Sequence, residues 1–403
     1  MSPLRTGGHL AVSQLLLSLS SLAITSLVAR EGDKVTAAVF FGAYALESVG
    51  VSAARGYTMM TLIARSGTSS LSRTDATATV RASLNIGAVT ALVVFCFVAG
   101  VAEHDLRFAA TVSAWCLSIQ VFDSLRPLTG LYASGRTSQV VVSVNLAAQL
   151  IISVGANRWG LTLSLVASSA VFIAMTAALS AQLLRAASAD CVGVIKNERH
   201  FARTQLLEQG GSASLIALTM ITLATTSPSA AVALQLAGQL VSTPVLLLLN
   251  SAGMAALRDI SARALANVSY ARQRNRWMLF GTCLFVAATG LGVFEPGILQ
   301  RAFGDGWNDA RALAPFLSIF SLCTFYAQVA SHPYRSSAAP TLFRNWTLAA
   351  TMSAQAALVV GGSTGGVTGL AFACLAGSAL VVACYARLVH QAKKDKETSQ
   401  WLR

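Results

Sequence analysis

The chain has 403 residues, 54% of them hydrophobic and only 11% charged, with a mean hydropathy of +0.61. Soluble domains carry about 25% charged residues, so this chain cannot build the polar surface that water demands, which excludes an aqueous enzyme. The formal net charge of +13 is spread over the connections between apolar runs, so it reads as a topology signal and not as a nucleic-acid footprint.

A helix that crosses a bilayer must satisfy its own backbone hydrogen bonds and needs about 20 apolar residues. Twelve stretches qualify: 8–29, 36–63, 82–102, 108–128, 138–157 and 160–184, then 205–226, 230–257, 277–297, 312–332, 343–361 and 366–388. The first follows Arg5 and superficially resembles a signal peptide. It outruns the roughly 7–15 residues of such a core and lacks a small-x-small cleavage site, so a retained span is expected.

The second run holds two charges, Glu47 and Arg55. Their spacing offsets them by about 80° around a helix and about 12 Å along it, too far for a direct pair. Each must therefore find water, another helix or a ligand, and intramembrane ionisable groups are functional candidates by default. The fourth run ends in Asp123 and Arg126, whose i,i+3 spacing suits a local salt bridge, with Pro127 expected to end or kink the helix. Asn145 and Gln149 share a face of the fifth run. Gln235 and Gln239 share a face of the eighth, with Pro244 and Asn250 beyond them. Such amides suit sugar hydroxyls and equally suit hydrogen bonds between helices. His332 at the end of the tenth run and Glu208 near the start of the seventh read as interfacial residues.

Cys96, Cys116, Cys283, Cys323, Cys374 and Cys384 lie in apolar runs and Cys191 in a polar connection, without metal-ligand spacing. They read as small packing residues.

Lys and Arg test the span count independently, because cytoplasmic loops retain cations. With the N-terminus inside, only Arg30, Lys34, Arg107, Arg158, Arg301 and Arg311 face outward and only Arg55 lies deep in a span. All other cations fall on inner connections or on the terminal segments. Both termini are therefore expected in the cytoplasm. The polar connection after the sixth run divides the chain into a six-helix bundle (1–190), a cytoplasmic linker (191–204), a second six-helix bundle (205–390) and a basic tail (391–403). Arg65 and Arg258 close the second span of each half, and Glu47 and Gln239 occupy matching places within it. Two such halves around a midplane site are a transporter layout. The expected architecture is an all-α polytopic membrane protein of twelve helices in two bundles with a central cavity. No Gly-rich phosphate loop with Lys-Ser/Thr occurs, so no ATP hydrolysis and no cofactor is expected.

Several stretches resemble bacterial polysaccharide flippases. They are Ala29-Arg30-Glu31-Gly32 with Phe41-Gly42-Ala43-Tyr44-Ala45-Leu46, Gln235-Leu236-Ala237-Gly238-Gln239 through Pro244, Phe303-Gly304-Asp305-Gly306-Trp307 with Ala310, and Gly365-Gly366-Val367-Thr368-Gly369-Leu370-Ala371. These flippases form the Wzx-type, lipid-linked oligosaccharide branch of the multidrug/oligosaccharidyl-lipid/polysaccharide exporter (MOP) superfamily, which also contains the multidrug and toxin extrusion (MATE) transporters. The resemblance implies a monomeric, non-enzymatic carrier in the cell membrane that moves a glycan on a polyprenyl pyrophosphate to the outer leaflet. It would be driven by proton or sodium coupling or by the substrate's own gradient. On that reading Arg55, Glu47, Gln235, Gln239, Asn145 and Gln149 line the substrate path. Arg55 meets the anionic head, and Glu47 and Asp123 are the candidates for ion coupling. A multidrug antiporter of the same superfamily is the alternative, although the first span lacks the acidic residue many drug extruders carry. A membrane glycan polymerase or transferase loses weight because the outer connections are short. A major-facilitator carrier does so because the Gly-x-x-x-Asp-Arg pattern is missing from residues 64–81.

Overall fold

The computed structural model describes residues 3–62, 71–101, 105–133, 135–188, 193–242, 271–294, 296–304, 306–335 and 340–401. Pro244, Asn250, Cys191 and Asp305 lie outside these residues, as do the side chains of Glu208 and His332. The described chain is helical almost throughout. It runs α1 (Pro3–Glu31), α2 (Lys34–Arg55, continuing as a π-helical turn Gly56–Met60), α3 (Arg73–Val101), α4 (Leu106–Tyr132), α5 (Gly135–Ala156) and α6 (Arg158–Ala186). The short α7 (Val194–Asn197) leads into α8 (Arg199–Thr226) and α9 (Pro228–Ala237), which also passes into a π turn, Gly238–Ser242. Then follow α10 (Ala271–Phe294), α11 (Pro296–Phe303), α12 (Gly306–Arg335) and α13 (Pro340–Trp401). Every expected span falls on one of these helices as far as the chain is described, and the protein is a multi-pass membrane protein. Among the described residues, seven helical segments are long and apolar enough to cross a bilayer by composition alone.

Two compact units, Met1–Pro228 and Ser229–Arg403, divide the contacts. In the first, α2 and α4 form the interior. Their most apolar stretches are 67% and 72% buried, against 22% for α3 and 28% for α6. Large aliphatic side chains such as Val89, Leu92, Val154 and Ile173 are exposed on α3, α5 and α6, where lipid replaces protein as the solvent. Hydrocarbon does not drive helices together, so close approach must come from small residues. α2 supplies them in Ala37, Ala38, Gly42, Ala43, Gly50 and Ala54, all buried. A Cβ on Gly42 would lie 2.9 Å from the Phe97 ring of α3. The seventh expected span, α8, packs along α2 within this unit, and residues 199–204 already belong to its first turns.

Starts of helices are fixed by side-chain acceptors. Asp33 accepts from Thr36 N at 2.7 Å at the head of α2, and Asp105 accepts from Arg107 N and Phe108 N at 3.0 Å at the head of α4. Both satisfy amides that a helix leaves unpaired. Of the two outcomes expected at Pro127, an end to the helix does not occur, because α4 runs through it to Tyr132.

A buried clasp closes one end of this unit. Ser72 and Asp75 form a reciprocal pair at the head of α3, with Ser72 Oγ donating to Asp75 Oδ2 (2.8 Å) and Asp75 N to Ser72 Oγ (2.9 Å). Both Asp75 oxygens also accept from the head of α7, Oδ2 from Val194 N and Oδ1 from Ile195 N, each at 2.9 Å. Beside it, Arg73 N donates to Ser188 O and Ser188 N to Leu71 O. Leu62, Leu71, Ala76, Leu125, Leu128, Leu183 and Ile195 pack beneath this polar knot.

In the second unit α12 packs on both arms of α13, with Ala327, Ala350, Ala354, Val381, Tyr385 and Leu388 at the contact. α13 reverses direction at Gly366, whose φ of 56° only glycine adopts freely. The arms then touch backbone to backbone: a Cβ on Gly361 would lie 2.4 Å from Gly369 O. Gly160 (φ 75°) makes a one-residue break of the same kind in the first turn of α6. Gly304 (φ 66°) shapes the turn before α12, where Phe303 and the fully buried Trp307 stack at 5.5 Å.

Candidate functional site in the first unit

α2 and α4 run alongside each other in the same direction, and their seam can be followed contact by contact. Cys116 Sγ donates weakly to Ala43 O at 3.7 Å. One step further, the Gln120 carboxamide lies so close to Gly50 that a Cβ there would sit 2.4 Å from it. Beyond that, Arg55 Nη2 donates to Asp123 Oδ1 at 2.6 Å and to Asp123 O at 3.1 Å. Toward the Lys34 end the seam is covered by the rings of Phe40 and Tyr44 against Trp115, whose Nε1 donates to Ser168 Oγ at 3.0 Å.

Arg126 reaches the same carboxylate oxygen as Arg55, its Nη2 donating to Asp123 Oδ1 at 3.4 Å. Its Nη1 donates to Ser13 Oγ of α1 at 2.9 Å. The local Asp123–Arg126 pair therefore forms, but the stronger partner of Asp123 is Arg55 on another helix. Two guanidiniums converge on one carboxylate, leaving one net positive charge. Arg126 is closed in, with its side chain only 2% exposed, whereas Arg55 keeps 24% and Asp123 19%. Among the described residues only Nη2 of Arg55 is engaged, and its Nε is buried without a partner.

Glu47 lies in the same seam, buried, with Oε1 unpartnered. It does not pair with Arg55, in keeping with their separation along α2. Gln120 is fully buried with neither carboxamide atom hydrogen-bonded. Asn145 and Gln149 are fully buried on α5, but they bond to each other along the helix, Gln149 Nε2 to Asn145 Oδ1 at 3.2 Å. Asn145 Nδ2 and Gln149 Oε1 remain unpartnered. Gln239 is buried in the π turn of α9 with its Oε1 unpartnered, and Gln235 is half-buried. Both belong to the second unit.

The structure thus joins Glu47, Arg55 and Asp123 on one seam and adds Gln120, Arg126 and Ser13 to it. Lone opposite charges at similar depth in the second and fourth runs were the available signal for the Arg55–Asp123 pair. Gln120 and Ser13 carried none.

The architecture is that of solved MOP superfamily transporters. One from Pyrococcus furiosus aligns over 98% of this chain and 96% of its own, with a TM-score of 0.63 and 11% identity. A MATE protein in complex with MaD3S aligns over 98% of both chains, at TM-score 0.65 and 13% identity. The lipid II flippase MurJ, in an inward closed conformation, aligns over 94% of this chain and 87% of its own, at 0.61 and 12%. At these identities the likeness is one of fold. No family model matches the sequence, and no curated protein does.

Proposed function

We propose that the protein is a transporter that carries a polyprenyl-pyrophosphate-linked oligosaccharide across the cell membrane by alternating access. The observation that carries this reading is the Arg55 guanidinium: it lies within a membrane span, is partly accessible, and has one nitrogen engaged and a buried Nε unpartnered. A fork of N–H donors matches phosphate oxygens, and a cation retained at this depth against its desolvation cost needs an anionic partner. Buried amides with unpartnered atoms, Gln239, Asn145 and Gln149, are suited to hydroxyl-rich sugars. The lipid II flippase among the similar folds supports a lipid-linked substrate, and no enzymatic role is proposed.

Cells that depend on the protein for surface glycan test this. Arg55→Ala should abolish export and accumulate lipid-linked glycan at normal protein level, with Arg55→Lys partly active because an ammonium contacts phosphate only as a point charge. Full export by Arg55→Ala would overturn the role. The second reading, an ion-coupled multidrug antiporter, is favoured by the buried carboxyl of Glu47 and by the MATE proteins among the similar folds. It predicts drug resistance that Glu47→Gln removes while glycan export continues.

A further inference from the structure

Asp123 carries two guanidiniums on one oxygen, and its Oδ2 has no hydrogen-bond partner among the described residues. A pair that served only to hold α2 against α4 would need one cation. The second, Arg126, is fully buried and tethered to α1 through Ser13, so it cannot leave the carboxylate. Arg55 differs in exposure: it is partly accessible, and Asp123 engages only its Nη2, which leaves its Nε for another acceptor.

Removing one partner of a buried ion pair is costly because the other charge is left bare. That cost vanishes for Asp123 when Arg55 leaves it, since Arg126 stays. We propose that Asp123 is a displaceable counterion: in the empty carrier it holds the place on Arg55 that a phosphate group of the substrate takes, and Arg126 retains it once displaced. The assignment rests on the transport reading above. Phosphate has more acceptor oxygens than one carboxylate edge and can occupy Nε and Nη2 together. The exchange converts a cluster with one net positive charge into one that the phosphate neutralises. Asp123 then acts as a positioning residue and sets how tightly the head group is held.

Purified full-length protein in nanodiscs of zwitterionic lipid, titrated with farnesyl pyrophosphate, tests the proposal. Asp123→Asn, which removes the competitor, should bind about tenfold tighter yet export more slowly, because release becomes limiting. Farnesyl pyrophosphate should also raise its Tm more than that of the wild type, since the ligand then supplies the missing counterion. Asp123→Glu should restore wild-type affinity. Ser13→Ala loosens Arg126 without touching the ligand, and it should weaken binding about threefold.

Unchanged or weaker binding by Asp123→Asn, with Arg55→Ala still abolishing binding, overturns the counterion role and leaves the transport reading intact. Should Asp123→Asn fail to fold, unchanged affinity in Ser13→Ala overturns it instead. Absence of binding by the wild type overturns both. Equal competition by phosphatidylglycerol would uphold the counterion with a bilayer head group as its ligand, and would remove the glycan carrier.

Discussion

Each unit contains a helix broken at a single glycine, but the two interiors differ. Gly160 in the first turn of α6 and Gly366 within α13 make the same kind of one-residue break with positive φ. Each unit also has a π turn in a helix that carries a buried Glu or Gln with an unpartnered Oε1, Glu47 on α2 and Gln239 on α9. Among the described residues, however, buried acidic and basic side chains are confined to the first unit, in Glu47, Asp75 and Arg126. The second buries Gln239 and hydroxyls such as Ser318, Ser321 and Ser378. A common backbone plan thus carries a charged interior in one unit and a neutral one in the other. The lesson is that architecture and chemistry are separable: small residues and glycine breaks build both units, and a few side chains decide what each can hold.

The sharpest way to break this contrast is at the clasp, where the first unit depends on a buried carboxylate. Asp75→Ala leaves Val194 N and Ile195 N without their acceptor and should cost about 3–5 kcal/mol. The reading is a large fall in Tm and rapid proteolysis after residue 188, with Asp75→Asn recovering part of the loss. A Tm within error of wild type would show that charge is incidental there.

A smaller effect separates the two hairpins. A Cβ on Gly369 would fall 2.0 Å from Gly361 O, so Gly369→Ala must part the arms of α13 and should cost about 2–3 kcal/mol. Gly155→Ala, beside the break in the first unit, first meets the Trp159 ring at 3.0 Å and should cost less than about 1 kcal/mol. Equal effects in a thermal-shift comparison would erase the distinction between backbone contact and side-chain contact.

The smallest effect is at Asp33, which lies at the head of α2 outside the span. Hydrogen bonds from Thr36 N, and then from the Thr36 side chain and Val35 N, hold its carboxyl below the usual 3.8 despite slight burial. A depressed carboxyl contributes stability above its unfolded pKa and loses it as the pH falls through the folded value. The cap should therefore be intact at neutral pH and lost only below about pH 3.8. Asp33→Ala should cost about 1 kcal/mol, with the difference from wild type disappearing in strong acid. Hydrogen exchange at Val35 and Thr36 is the measurement.

The spans were legible because a bilayer leaves little choice: an apolar run of about 20 residues is either a helix or unsatisfied. The seam was not, since which face of α2 meets α4 depends on where Gly42, Ala43 and Gly50 allow backbones to approach. Glu47 and Arg55 could be singled out as charges, but the partner of Arg55 was found on a helix 68 residues away. Asn145 and Gln149 shared a face as expected and then bonded along the helix instead of across it. Asp75 was half legible. Ser72-x-x-Asp75 before an apolar run is a helix-start pattern, while its second task, with the amides of 194 and 195, depends on the fold alone.

That second task also has a timing. The amides that complete the shell of Asp75 lie 119 and 120 residues further along the chain. At about 5–20 residues per second of synthesis, they arrive roughly 6–24 s after Asp75 itself. During that interval α3 starts on Ser72 alone, and its carboxylate stays wet. The bundle of α1 to α6 can therefore enter the membrane with this end unlatched, and it locks only when the segment that leads into α8 has been made.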